Sequence, residues 1–239
     1  VRVARARVRD GLPLRAPINA VAFTARAPIT RRRHTATNRS ARAAVTQRSH
    51  SGLLGPAPTT SAAQALAQDS IAERGYVMNA ARIWAHDPAA HADIFRLLDH
   101  CVRVAGLSRA DRGVLVCATA DTIGDPYCAL AWGARLAGDV GAEAAAQVLA
   151  GDDSGLDSRG QALAALARAL AGHRPVGALP AASLQALRDN GFSDQQILAV
   201  SVYAALRHLF SSINAGLGAA PDDELVDATP ALVRAALSL

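Results

Sequence analysis

Lysine is missing from this chain of 239 residues: all 25 basic residues are arginine. With Ala, Arg, Gly and Val abundant, that absence points to a GC-rich coding bias. Acidic residues are nearly missing from the first 52 positions, where about 12 arginines face a single acid, Asp10. The remainder is therefore mildly acidic. The overall charge of +5 arises from one end of the chain, and the folded body has no general attraction for nucleic acid. No run of apolar residues reads as long enough to cross a bilayer, so neither membrane nor transmembrane segment is expected. Three cysteines without tight paired spacing argue against a structural zinc site or a disulfide framework and fit a reducing cytoplasm.

The arginine-rich segment admits three readings. It is a disordered tail or an over-long start, an organelle transit peptide lacking a secretory apolar region, or an arm for an anionic surface. Residues 53 to 64, LLGPAPTTSAAQ, read as a linker. The expected organisation is a disordered segment over 1–64 and one domain over 65–239.

That domain reads as all-α. In DPAAHADIFRLLDHCVRVAGL, Ile94, Leu97, Leu98, Cys101 and Val102 recur at helical spacing, with Pro88 at the start and Gly106 as a stop. Ser108 with Asp111 forms a near capping box before the next helix. Asp125 and Pro126 start a third, since Asp is a favoured N-cap and Pro is tolerated at the first helical position. Shorter helices follow, and Ser193 with Gln196 caps the longest. That last helix, through INAGLG, is apolar around most of its circumference and is expected at the centre of the bundle or between subunits.

The runs YVMNAARIWAHDPAAHADIFRLLD, SRADRGVLVCATADTIGDPYCALAWGARLAG and LQALRDNGFSDQQILAVSVYAALRHLFSSINAGLG, in that order, resemble the alkylhydroperoxidase D (AhpD) and carboxymuconolactone decarboxylase superfamily over roughly residues 72–226. The resemblance implies an all-helical AhpD-like bundle, assembled as a homo-oligomer, with thiol-dependent peroxidase or antioxidant chemistry. In the peroxidase branch a glutamate precedes a CxxC pair, and a histidine lies one helical turn beyond its second cysteine. Here the second cysteine matches Cys128, the first falls on Asp125, the histidine on Trp132 and the glutamate on Gly113. A carboxylate cannot close a disulfide, and neither indole nor glycine relays a proton, so the two-cysteine cycle is closed to this site.

Cys128 is the candidate nucleophile and Asp125 its polar neighbour and helix cap; Tyr127 and Trp132 are expected to shape a pocket. A helix end favours a thiolate by about 0.3–1 kcal/mol, whereas a unit charge at about 4 Å disfavours it by about 4 kcal/mol at an effective dielectric of 20. No lowered thiol pKa is therefore expected unless a cation stands nearby, for which Arg112 and Arg135 are the sequence-near candidates. Cys101 and Cys117 read as core residues, with Cys117 a possible resolving thiol. His86 and His91 lack the spacing of a helical metal pair, and no metal or cofactor is expected. Arg207 and His208, on the apolar last helix, must find partners and are candidates for a pocket or an interface. Two functions follow: a one-cysteine peroxidase-type oxidoreductase acting on a small hydroperoxide with an external thiol reductant, or a non-catalytic helical oligomer that binds a small molecule or a protein partner.

Overall fold

The computed structural model describes residues 52–172 and 179–238. The chain divides into Val1–Val45 and Thr46–Leu239; the first unit, and with it most of the basic segment, lies outside the described residues. Among the described residues there are eleven helices and no strand. They are α1 (Ser61–Arg74), α2 (Asn79–Trp84), α3 (Pro88–Ala105), α4 (Arg109–Ile123), α5 (Pro126–Val140), α6 (Ala142–Leu149), α7 (Ser158–Ala171), α8 (Ala181–Asp189), α9 (Asp194–Gly216), α10 (Asp223–Ala228) and α11 (Ala231–Ala236).

The starts and stops follow local chemistry. Ser108 and Ser193 each head a complete capping box, with Asp111 and Gln196 returning their side chains to the cap N–H. α3 ends at Gly106, whose left-handed backbone (φ 62°) lets its N–H reach the Val102 carbonyl. α1 begins earlier than the expected linker allows: Thr60 Oγ1 accepts from Ala63 N–H, and residues 61–64 are its first turn. The segment before it is also held, because Leu53 N–H donates to the Leu217 carbonyl at 2.8 Å.

The innermost helix is α4, not the long α9. Every residue from Gly113 to Ala120 is buried, as α5, α6, α7 and α9 surround it. By length and composition alone α9 matches a membrane span, contrary to the sequence expectation. It packs, however, against α3, α7 and α4 and buries Ile197, Val200, Tyr203, Arg207 and Phe210 in the core. Its other face turns outward, leaving Leu198 65% and Leu209 43% exposed. On α3, Leu98 and Cys101 are buried as expected, while Leu97 is exposed. An aromatic cluster ties α2, α3 and α9 together: Trp84 stacks on Phe210 with centroids 5.1 Å apart, and its indole N–H donates to Asn214 Oδ1 at 2.9 Å.

Candidate active site

The α4–α5 hairpin sets the site. Gly124 closes α4 in the left-handed region (φ 69°), and Asp125 N–H returns to the Ala120 carbonyl at 2.8 Å. That tight turn places Asp125 at the N-cap of α5, where Oδ1 accepts from Tyr127 N–H at 2.9 Å and Cys128 N–H at 3.3 Å. The free amides that would stabilise a thiolate at this helix end are thus partly claimed by a carboxylate. Asp125 is buried, and its Oδ2 has no hydrogen-bond partner.

The cation near Cys128 comes from α9. Arg207 Nη2 lies 3.8 Å from Cys128 Sγ. Arg207 is 4% exposed, forms no ion pair among the described residues, and leaves its Nε buried without an acceptor. Its guanidinium carbon sits 5.3 Å from the Trp132 ring centroid and 5.2 Å from that of Phe210, so aromatic faces supply part of the attraction that a carboxylate normally gives. Ser211, four residues on and so on the same face of α9, pulls the thiol pKa down through its hydroxyl. Arg112 and Arg135 do not serve. Arg112 Nε turns back to the Ser108 carbonyl, and Arg135 pairs with Glu73 while lying 4.9 Å from the Trp132 ring centroid.

Burial dominates the electrostatics of the thiol. Cys128 is 2% exposed, and desolvation pushes its pKa up to about 11. Arg207 and Ser211 pull it down, while Asp125 pushes it up. The absence of a lowered pKa was legible from sequence, but the leading cause was not: desolvation is the largest effect, ahead of the opposing Arg207 cation and the reinforcing Asp125 carboxylate.

The other expected residues separate. Trp132 joins Arg207 beside the sulfur, but Tyr127 turns away. Its hydroxyl donates to Asp222 Oδ2 at 2.7 Å and accepts from Ala80 N–H at 3.2 Å, within a cluster of Ala80, Ile83 and Ala219. His208 is half-buried, and its ring has no hydrogen bond or ion pair among the described residues. Cys101 and Cys117 lie in the core, and burial together with the Cys128 sulfur pushes the Cys117 thiol far up. A side chain at Gly113 would meet Leu136 Cδ1 at 3.1 Å, so leucine occupies the space beside the glutamate position. Ser211 and Phe210 were missed by sequence reasoning; the available signal was the spacing of Arg207 and Ser211 on one face of an otherwise apolar helix. Among the described residues no group of His, Cys, Asp or Glu is placed to hold a metal ion.

No family model and no curated protein matches the chain. Solved structures do. An uncharacterized peroxidase-related protein from Ralstonia eutropha JMP134 with an alkylhydroperoxidase AhpD core superposes with TM-score 0.57 at 24% identity, covering 72% of this chain and 93% of that one. An uncharacterized peroxidase-related protein from Silicibacter sp. TM1040 gives TM-score 0.61 at 16% identity, over 73% and 94%. The debrominase Bmp8 gives 0.57 at 13% identity, over 77% and 95%, and a cysteine-to-alanine variant of it in complex with 2,3,4-tribromopyrrole gives 0.56 at 14% identity, over 78% and 96%. The fold of this chain is AhpD-like.

Proposed function

We propose that this chain is a thiol oxidoreductase on the AhpD-like fold, working through Cys128 alone on a small hydroperoxide, with an external thiol as reductant. The observation that carries the reading is the buried Arg207 guanidinium 3.8 Å from Cys128 Sγ with no carboxylate partner. A buried cation without a directly bonded anion is costly, and Arg207 is placed to stabilise the negative charge that develops on sulfur as the thiol is deprotonated. The fold likeness to peroxidase-related proteins supports the same chemistry.

Sulfur attacks the distal peroxide oxygen, the S–O bond forms as the O–O bond breaks, and the electron pair leaves on the alkoxide. The thiol proton passes to Asp125 Oδ2, which has no other partner, and from there to the departing oxygen as alcohol. Arg207 and Ser211 hold the negative charge on sulfur while the proton is in transit. One external thiol then displaces water from the sulfenic acid to give a mixed disulfide. A second thiol releases Cys128 as the free thiol and leaves as the external disulfide. A thiol near 11 is ionised to only about one part in 10⁴ at pH 7, so the resting enzyme is slow.

A second reading is favoured by one observation: Leu136 fills the space beside the relay glutamate position, as expected if the fold persists as a binding module without turnover. Mass spectrometry after mild peroxide in the presence of dimedone separates the two. The redox reading requires a dimedone adduct on Cys128 that disappears in Cys128→Ser. A native, folded protein that yields no adduct at any peroxide level below that which unfolds it overturns this reading and leaves the binding module.

A further inference from the structure

A cavity of about 340 Å³ lies away from Cys128, between residues 56–59 and the facing sides of α1 and α2. Pro56, Pro58, Ala67, Val77 and Ala81 give it apolar walls of small side chains, and Arg82 stands in the lining. The segment flanking it is pinned rather than loose. Leu53 N–H is bonded to Leu217, the His86 ring bonds the Gly55 carbonyl at 3.1 Å, and Thr60 caps α1. The volume falls at the small end of the range for ligand pockets, about 300–1,000 Å³.

Among the described residues Arg82 makes no direct ion pair. Its side chain forms no hydrogen bond among the described residues, and its Nε is buried with no acceptor. Asp222 lies within electrostatic range of Arg82 but not in contact with it: its Oδ1 accepts from Asn79 N–H at 2.8 Å and its Oδ2 from the Tyr127 hydroxyl at 2.7 Å. An apolar cavity beside a guanidinium whose Nε has no acceptor is complementary to a molecule that is apolar along its length and anionic at one end.

We infer that the cavity between residues 56–59, α1 and α2 binds a small amphiphilic carboxylate, its hydrocarbon part against the proline and alanine walls and its carboxylate on Arg82. The site is independent of Cys128.

Calorimetric titration of the full chain with octanoate and with 1-octanol tests this. Octanoate saturates one site and binds more tightly than the alcohol. Arg82→Gln weakens octanoate about tenfold or more while leaving 1-octanol unchanged, as expected for loss of one charge-assisted contact. Arg82→Lys retains part of the preference. Ala67→Leu, a helix-compatible change that fills the cavity, removes binding of both. Cys128→Ser leaves octanoate binding unaltered even if no sulfenic acid ever forms at the thiol, so this inference and the redox reading fail separately. Absence of a saturable octanoate site overturns the inference. So does an Arg82→Gln variant that melts like the parent and loses octanoate and octanol equally or neither, or binding that survives in a folded Ala67→Leu variant.

Discussion

Arg207 and Cys128, 79 positions apart in sequence, meet across 3.8 Å between Nη2 and Sγ in a site closed to solvent. The guanidinium opposes a desolvation cost without cancelling it, since the thiol still sits near 11. The second charge at the sulfur, Asp125, acts in the opposite sense.

The two charges should therefore move the thiol in opposite directions. Iodoacetamide labelling of Cys128 is slow at neutral pH and rises with a midpoint near about 11. Asp125→Asn keeps an oxygen for the α5 cap but removes the negative charge, and the midpoint falls. Arg207→Gln removes the cation, and the midpoint rises. A midpoint near neutrality in the parent protein contradicts this account. If Asp125 also carries the thiol proton, Asp125→Asn forms less dimedone adduct per unit thiolate despite the lower midpoint.

His91 couples folding to mild acid. Its ring stacks on Phe95 with centroids 4.3 Å apart, and burial lowers its pKa to about 4 from 6.5. The folded state resists the proton that the unfolded chain accepts, so stability present above about 6.5 is lost as pH falls toward about 4. The loss is up to about 3 kcal/mol at 1.36 kcal/mol per unit. Denaturant midpoints across that window should show the slope, and His91→Phe should flatten it.

Two glycines within α5 should respond with opposite sign. A Cβ at Gly133 would meet Val233 Cγ1 at 2.8 Å and Leu149 Cδ1 at 2.9 Å, whereas at Gly138 it meets nothing within 4 Å. Gly133→Ala should destabilise by about 1–3 kcal/mol through overpacking against α6 and α11. Gly138→Ala should stabilise by about 0.5–1 kcal/mol through helix propensity. Urea unfolding of the pair checks this, and equal shifts would refute it.

Tyr127 holds the start of α10 to α2 and α5. Tyr127→Phe leaves Asp222 Oδ2 and Ala80 N–H, both bonded to the phenol in the native protein, without their partner. The expected cost is about 1–3 kcal/mol, with no change in the Cys128 labelling midpoint. A shift in that midpoint would show that Tyr127 belongs to the thiol site after all.

The caps, stops and helix content were legible because they rest on neighbours within a turn or two. Ser108 with Asp111, Ser193 with Gln196, and Asp125 before Pro126 each satisfy backbone groups locally, whatever packs around them. Which helix lies innermost was not legible. Apolar composition marks α9, yet small residues, Gly113, Ala118 and Ala120 among them, let neighbours close around α4 from every side.

At the candidate site the sequence by itself determined the lone Cys128 at a carboxylate-capped helix start, with aspartate at 125, tryptophan at 132 and glycine at 113 where the resemblance would place cysteine, histidine and glutamate. Tertiary structure alone decided that Arg207 rather than Arg112 or Arg135 reaches the sulfur, that Tyr127 leaves the site for Asp222, and that burial outweighs every charge nearby. Electrostatic strength depends on distance and dielectric, and both are set by how α9 packs across the α4–α5 hairpin, which no local pattern encodes.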